Sequence, residues 1–411
     1  MTAADALDHA PLTRAHWRLT IVVGLGLFFD VFDVFLAGVL GTVLVKSFRV
    51  TPAQLPAVLG SSFLGMFVGS TVIGSIADRV GRRPAFLFNL GVYSLFTLAA
   101  AFSPNAPTLI AARFLAGVGL GAQMPLSDAY LSEVLPARVR GQMIALAYTI
   151  GFCGVPVVGL SARVLVPLRI AGVEGWRWLF VLGSLGGVVV WALQRHLVES
   201  PRWLQESRRA APVPFQSLFA PAVRGRTIML YVFQIFQTAG YYGFGTMVPL
   251  VLASKGFSVL TSLSYTTIAF LGYPIGSALS LFVIERVERR VLIVLSAIGM
   301  AAFGLALGVA ASALAIAAFG ILYTLVSNVF SNAFHVLQGE IFPTAIRGRA
   351  AGSAYGLSRL SSAAMPFVLL PVLTRYGAGA MFALIAAAMT VVIVDIGLFA
   401  PLTTGRPLEE I

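Results

Sequence analysis

Apolar runs of about twenty residues, the length a helix needs to cross the hydrocarbon core of a bilayer, recur along almost the whole chain. A membrane barrel would alternate polar and apolar residues, and these runs do not. Nor is a soluble fold open to the chain. Only 11% of its 411 residues are charged against 58% hydrophobic, too few to cover the surface of a soluble protein of this length. The sequence therefore reads as an all-α membrane protein with twelve transmembrane helices. They are expected at 19–43, 54–77, 84–103, 107–130, 141–167, 176–195, 227–252, 260–284, 290–309, 311–335, 349–373 and 378–400.

The net charge of +12 is spread in a way that argues against nucleic acid as a partner. The arginines do not form one basic face. They fall in alternate connecting segments: Arg14/Arg18, Arg79/Arg82/Arg83, Arg138/Arg140, the stretch Arg195 to Arg226, Arg286/Arg289/Arg290 and Arg347/Arg349. The other segments carry few cations: Lys46, Arg49, Arg169, Arg177, Lys255 and Arg375. Positive residues near helix ends are retained in the cytoplasm. Both termini and the central loop are expected there, in a bacterial inner membrane. The polar first residues and a long first apolar run give no sign of a cleaved leader. Cys153 is the single cysteine, and the four histidines lack ligand spacing, so no metal, disulfide or cofactor is expected.

The widest polar interruption, 196–226, divides the chain into two expected units of six spans, 1–195 and 227–411. The units read as copies. GSIADRVGRRP (Gly74 to Pro84) has an echo in FVIERVERR (Phe282 to Arg290), and LSEVLPARVRG (Leu131 to Gly141) in QGEIFPTAIRG (Gln338 to Gly348). Asp78 and Glu285, Glu133 and Glu340, Pro136 and Pro343, and Arg140 and Arg347 are each 207 residues apart. A duplicated unit with an even number of spans gives two bundles related by a pseudo-twofold axis along the membrane normal, with a binding site between them at the midplane.

The first of these loops calls for a tight turn at Gly81, an acid at a helix end and arginines facing headgroups. Asp78 can dock on the positive N-terminus of a neighbouring helix, and Arg82 can pair with Glu133, a latch that would break on opening. Gly74–Pro84 resembles the loop signature of the major facilitator superfamily. YLSEVLPARVRG (Tyr130 to Gly141) and VESPRWL (Val198 to Leu204) resemble its branch of sugar porters, organic-ion transporters and aromatic-acid/proton symporters. FFDVFDVFLAG (Phe28 to Gly38), YYGFG (Tyr241 to Gly245) and YGLSRLS (Tyr355 to Ser361) look most like the niacin-type metabolite/proton symporters and their synaptic-vesicle relatives. The resemblance covers essentially the whole chain and implies two six-helix bundles rocking about a central site. Span five (Ile144 to Gly151) lacks the mid-helix glutamine of sugar porters. Span seven keeps Gln237 but has Tyr241 and Tyr242 where an asparagine-bearing stretch would stand, a more aromatic pocket.

Charges inside spans are costly and mark function. Asp30 and Asp33 share one face of span one. Arg113, in a stretch similar to the superfamily's arginine–glycine motif linked to proton transfer, lies at about the depth of Asp33 at ~1.5 Å per residue. An Asp–Arg pair there could couple protons, with Asp30 the alternative titrating member, or be a static ion pair. Arg359 lies near the midplane of span eleven with no acid on its helix. It could grip a carboxylate with two parallel hydrogen bonds or pair with an acid of the first half. Gln237, Tyr241, Tyr242, Phe244, Asn328, Asn332 and Tyr355 could supply walls and hydrogen bonds. Glu340 and Arg347 stand as the second-half counterparts of the loop latch. Arg163 and Asp395 receive no role. Together these residues point to a proton-coupled symporter for a small organic anion, an aromatic or heteroaromatic carboxylate such as nicotinate. The chain is expected to act as a monomer in the bilayer, with the proton gradient as its only energy source. A drug exporter using the same Asp–Arg pair, a sugar porter and a non-transporting receptor are the alternatives. No nucleophile–base, metal or nucleotide motif suggests an enzyme.

Overall fold

The computed structural model describes residues 11–51, 53–136, 139–200, 204, 214–284 and 286–404, with the backbone alone at 74–79, 140, 344–345 and 348. Twelve crossings are found among these residues. Span one is Arg14–Val39, continued past Leu40 by Gly41–Phe48. Span two is Leu55–Val80 and span three Arg82–Ala101. Span four joins Ala106–Leu120 to Gln123–Val134, and span five joins Arg140–Phe152 to Gly154–Leu165. A two-stranded hairpin, Arg169–Ile170 with Val173–Glu174, leads into span six, Gly175–Gln194.

Span seven runs from 224 to 254 as Arg224–Thr238, a π-helical turn Ala239–Gly243, and Phe244–Ser254. Span eight is Val259–Phe270 with Gly272–Val283, span nine Arg289–Val309 and span ten Ala313–Glu340. The helical trace Thr344–Phe399 breaks at Gly377, whose φ of 83° suits a residue without Cβ, and so makes spans eleven and twelve. Helices overrun the expected ends by a few residues. A helix keeps its own hydrogen bonds beyond the hydrocarbon core, so polar residues such as Arg14 and Arg224 extend it at no cost.

Outward-facing side chains are apolar: Leu95, Leu185, Val189, Leu295 and Phe367 are each more than half exposed, as lipid-facing residues must be. Inside, small residues let helices touch. A Cβ on Gly65 would stand 1.9 Å from the Phe114 carbonyl oxygen, and one on Gly69 2.1 Å from that of Val118, which locks span two onto span four. Spans eight and ten repeat the contact, with Gly272 against Ile321 at 2.3 Å and Gly276 against Leu325 at 2.2 Å. Each residue of the second set is 207 positions beyond its counterpart, so the duplication read from the loops holds inside the bundles.

Spans of the two halves meet most closely toward the end opposite the termini. A Cβ on Gly38 would lie 2.5 Å from Thr246 Cα, one on Gly60 2.6 Å from the Ala363 carbonyl oxygen, and one on Gly159 2.7 Å from Thr267 Oγ1. Arg163 finds a role there: its Nε donates to Ser264 Oγ at 2.8 Å, tying span five to span eight.

Candidate functional site

The charges of the first half gather where spans one, three, four and six meet. Arg113 Nη1 pairs with Asp33 Oδ2 at 2.5 Å and its Nη2 donates to the Asp33 carbonyl oxygen at 2.9 Å. Thr97 Oγ1 donates to Asp33 Oδ1 at 3.5 Å, and the guanidinium lies 5.7 Å from the centre of the Phe180 ring. Both members of the pair are buried. Asp30, one turn away and equally buried, is different: among the described residues neither of its carboxyl oxygens has a partner. Its charged neighbours are Arg359 of the second half and Asp33.

Arg359 is 1% exposed and sits between two rings, 4.6 Å from the centre of Tyr242 and 4.3 Å from that of Tyr355. Its Nη2 donates to Tyr355 Oη at 2.5 Å and lies 3.7 Å from Met124 Sδ across the interface. Nε and Nη1 have no partner among the described residues. The guanidinium is thus held between aromatic faces, with Nε and Nη1 unpartnered and no ion pair to it among the described residues. The π turn Ala239–Gly243 helps to set this up. Its extra residue re-aims the helix face, so that Tyr242 meets Arg359 and Phe63 while Tyr241 turns to donate to Asn328 Oδ1 at 3.0 Å.

Gln237, Asn328 and Asn332 are bonded to neighbouring groups of the second half. Asn328 Nδ2 donates to the Tyr273 carbonyl oxygen at 2.6 Å, and Gln237 Nε2 to Gln234 Oε1 at 3.1 Å. Asn332 is spent on Ser277 and Ser280 of span eight. Gln237, Asn328 and Asn332 therefore support the wall, and Arg359, Tyr242 and Tyr355 form its charged centre.

A cavity of about 20 Å³, room for water but not for a metabolite, lies beside this centre. Val31, Phe35, Met124, Tyr148, Tyr242 and His335 are among its lining residues. Tyr148 donates to Asp128 Oδ1 at 2.8 Å and its ring faces the His335 ring of the second half at 5.6 Å. The sequence reading missed Asp128, Tyr148 and His335. Each is a polar residue inside a span, the same signal that marked Asp33, but none has a partner at a readable spacing.

At the terminus end the loop latches appear as a matched set. Arg82 Nη2 pairs with Glu133 Oε1 at 3.0 Å, and Arg289 Nη2 with Glu340 Oε1 at 3.4 Å. These pairs are again 207 residues apart. Glu199 accepts from the backbone nitrogens of Arg82 and Arg83 at 2.9 and 3.2 Å, and Arg347 Nε donates to the Phe342 carbonyl oxygen at 3.2 Å. The side chains of Asp78 and Arg140 lie outside the described residues.

Comparison with known proteins places this arrangement. The family model of the Major Facilitator Superfamily matches residues 23–280, and that of the Sugar (and other) transporter family matches 211–411. The niacin transporter NiaP of Acinetobacter baylyi is 30% identical, with 100% of both chains covered. The 3-(3-hydroxy-phenyl)propionate transporter of Escherichia coli is 27% identical, over 93% of this chain and 94% of the relative. The xylose transporter XylE from E. coli, in a partially occluded inward open conformation, superposes with a TM-score of 0.81 at 20% identity. The match spans 96% of this chain and 100% of that one, a likeness of fold. The helix count, the duplicated contacts, the family models and a relative matched end to end agree that this chain is a multi-pass membrane transporter, not an enzyme, and belongs to the major facilitator superfamily.

Proposed function

We propose that this transporter carries a small organic anion, an aromatic or heteroaromatic carboxylate such as nicotinate, into the cell together with a proton. The observation that carries the reading is the state of Arg359: buried, held between two tyrosine rings, and with Nε and Nη1 unpartnered beside the central cavity. A buried guanidinium with unpartnered N–H groups in an apolar setting suits a carboxylate, which forms the two-bond fork with Nη2 and one of them once Nη2 leaves Tyr355 or Met124, and Tyr242 and Tyr355 offer faces for a ring. The niacin and hydroxyphenylpropionate transporters among its relatives support an aromatic acid. Asp30 is the free carboxyl between Arg359 and the committed Asp33–Arg113 pair, so proton and substrate meet at neighbouring groups. The units 1–195 and 227–411, joined by 196–226, rock about this site as a monomer. The arginine-rich segments support a topology with both termini in the cytoplasm of a bacterial inner membrane. The proton gradient drives the cycle without a further cofactor.

The test is uptake of radiolabelled nicotinate and nicotinamide by the purified protein in liposomes with an inward proton gradient. Arg359→Lys should weaken nicotinate transport although the charge is kept, because an ammonium lacks the fork. Arg359→Ala should lose more, about 2–5 kcal/mol of apparent affinity, while the weak handling of nicotinamide stays as it was. Equal losses for acid and amide would remove Arg359 from the site. Tight binding of a bulky cation by the unaltered protein would favour the exporter reading instead.

A further inference from the structure

Below the Asp33–Arg113 pair the interior of the first half is unusually polar for a bundle core. Among the described residues, Thr20, Asn89, Ser94, Gln123, Ser127 and Gln194 are buried and have side-chain oxygen or nitrogen atoms with no partner. Apart from Thr20, which lies on the face of span one that packs on span five, they come from spans three, four and six. On span one, Asp33, Asp30 and Gly26 lie on one helical face; on span four, Arg113, Gln123, Ser127 and Tyr130 do the same. At ~1.5 Å per residue Gly26 is about 10 Å and Ser127 about 20 Å below the ion pair, so the two stripes run side by side over the upper part of that depth. They touch at Gly26, where a Cβ would stand 2.9 Å from Gln194 Nε2 and 3.0 Å from Gln123 Nε2. At the lower end Tyr130 donates to the Val198 carbonyl oxygen at 2.8 Å, next to Glu199 and the Arg82–Glu133 pair.

The second half shows what this space holds when nothing polar is required. The counterparts of Gly26, Gln123 and Ser127, 207 residues on, are Phe233, Phe330 and Phe334. These three rings stack, Phe233 on Phe334 at 4.0 Å and on Phe330 at 5.4 Å, and fill the bundle. The first half has a glycine, an amide and a hydroxyl at the same places. Buried amides and hydroxyls without protein partners are satisfied by water.

We propose that this stripe is a water-lined proton route through the interior of the first bundle, from Asp30 to the loop at Glu133 and Glu199, separate from the cleft the substrate crosses. A proton released by the Asp30 carboxyl passes to hydrogen-bonded water, is relayed between waters held by Gln123, Gln194, Asn89 and Ser127, and enters bulk solvent at the terminus end. No covalent bond of the protein changes. The inference rests on the proton-symport reading, and the assay separates the two.

Liposomes loaded with a pH-sensitive dye would report proton entry driven by nicotinate, and radiolabelled nicotinate exchange would be followed in parallel. The unaltered protein should show both; nicotinate uptake without proton entry would end the symport reading and the route together. Gln123→Met with Gln194→Met keeps size and removes the amides. It should cut proton entry at least tenfold and leave exchange within twofold. Unchanged proton entry at unchanged exchange would overturn the route and leave symport standing. If the methionine variant loses exchange as well, Ser127→Ala, which barely alters volume, decides: the same selective loss supports the route and parallel behaviour refutes it.

Discussion

Asp30 and Asp33 stand three residues apart on one helix, but the structure gives them opposite circumstances. Asp33 is bonded to Arg113 through its side chain and its carbonyl oxygen, whereas Asp30 has no partner. Asp33→Asn should strand a buried guanidinium and cost about 3–5 kcal/mol, seen as a clear drop in the melting temperature of the purified protein. Asp30→Asn breaks nothing and should melt at or above the parent temperature. It should also keep nicotinate exchange while losing accumulation driven by an inward proton gradient. Normal accumulation in that variant would assign coupling elsewhere. The Asp33–Arg113 pair was readable from the sequence because two opposite charges inside antiparallel spans fall at one depth. Asp128, Tyr148 and His335 were not readable, since their meeting depends on how spans four, five and ten are rotated, which hydrophobic runs do not encode.

At the level of elements the crossings were legible, for the reason that the bilayer imposes one length on all of them. Breaks within a crossing were less so. The π turn at Ala239–Gly243 leaves no mark in the hydrophobic pattern, yet it decides which tyrosine meets Arg359. Tyr242→Phe keeps the ring under the guanidinium and should keep nicotinate affinity. Tyr242→Leu removes it and should weaken affinity by about 0.5–2 kcal/mol, read as a rise in KM. Glycine contacts give a second element-scale expectation. Gly69→Ala and Gly276→Ala each push a Cβ to within 2.2 Å of a carbonyl oxygen on the neighbouring span. Each should destabilise by about 1–3 kcal/mol or more, with the two halves suffering alike. Gly91→Ala, where a Cβ would meet nothing within 4 Å, should cost nothing. Thermal melts of the three variants check this, and a Gly91→Ala loss equal to the others would count against specific packing.

For the whole molecule, the halves come into close backbone contact at Gly38 and Gly60, both toward the end opposite the termini. Closure there needs bare backbone against its neighbour. Gly38→Leu should therefore hold that end apart and reduce net nicotinate uptake to a small fraction of the parent rate, while the protein still folds and binds. Labelling of a cysteine introduced above Arg359, in a Cys153→Ser background, should become faster in the variant. Unaltered labelling would mean that this end does not close on Gly38. The duplication that frames these motions was legible in the loops, where arginines and acids survive in both copies, and its extension into the glycine contacts was visible only in three dimensions.

Apart from Asp128, whose carboxyl is bonded by Tyr148, the formal charges described at the ion pair and the substrate centre are Asp30, Asp33, Arg113 and Arg359, two of each sign. Their sum is zero when the carrier is empty. It is zero again when one monovalent carboxylate and one proton are aboard, so neither the loaded nor the returning carrier drags net charge through the field across the membrane. Moving one uncompensated charge would be worth about 2.3 kcal/mol per 100 mV. An electrically silent cycle follows: initial uptake of nicotinate should respond to a pH difference and be indifferent to a potassium diffusion potential of either sign. A dicarboxylate of similar shape would break that balance, and its entry should be slowed by a negative interior.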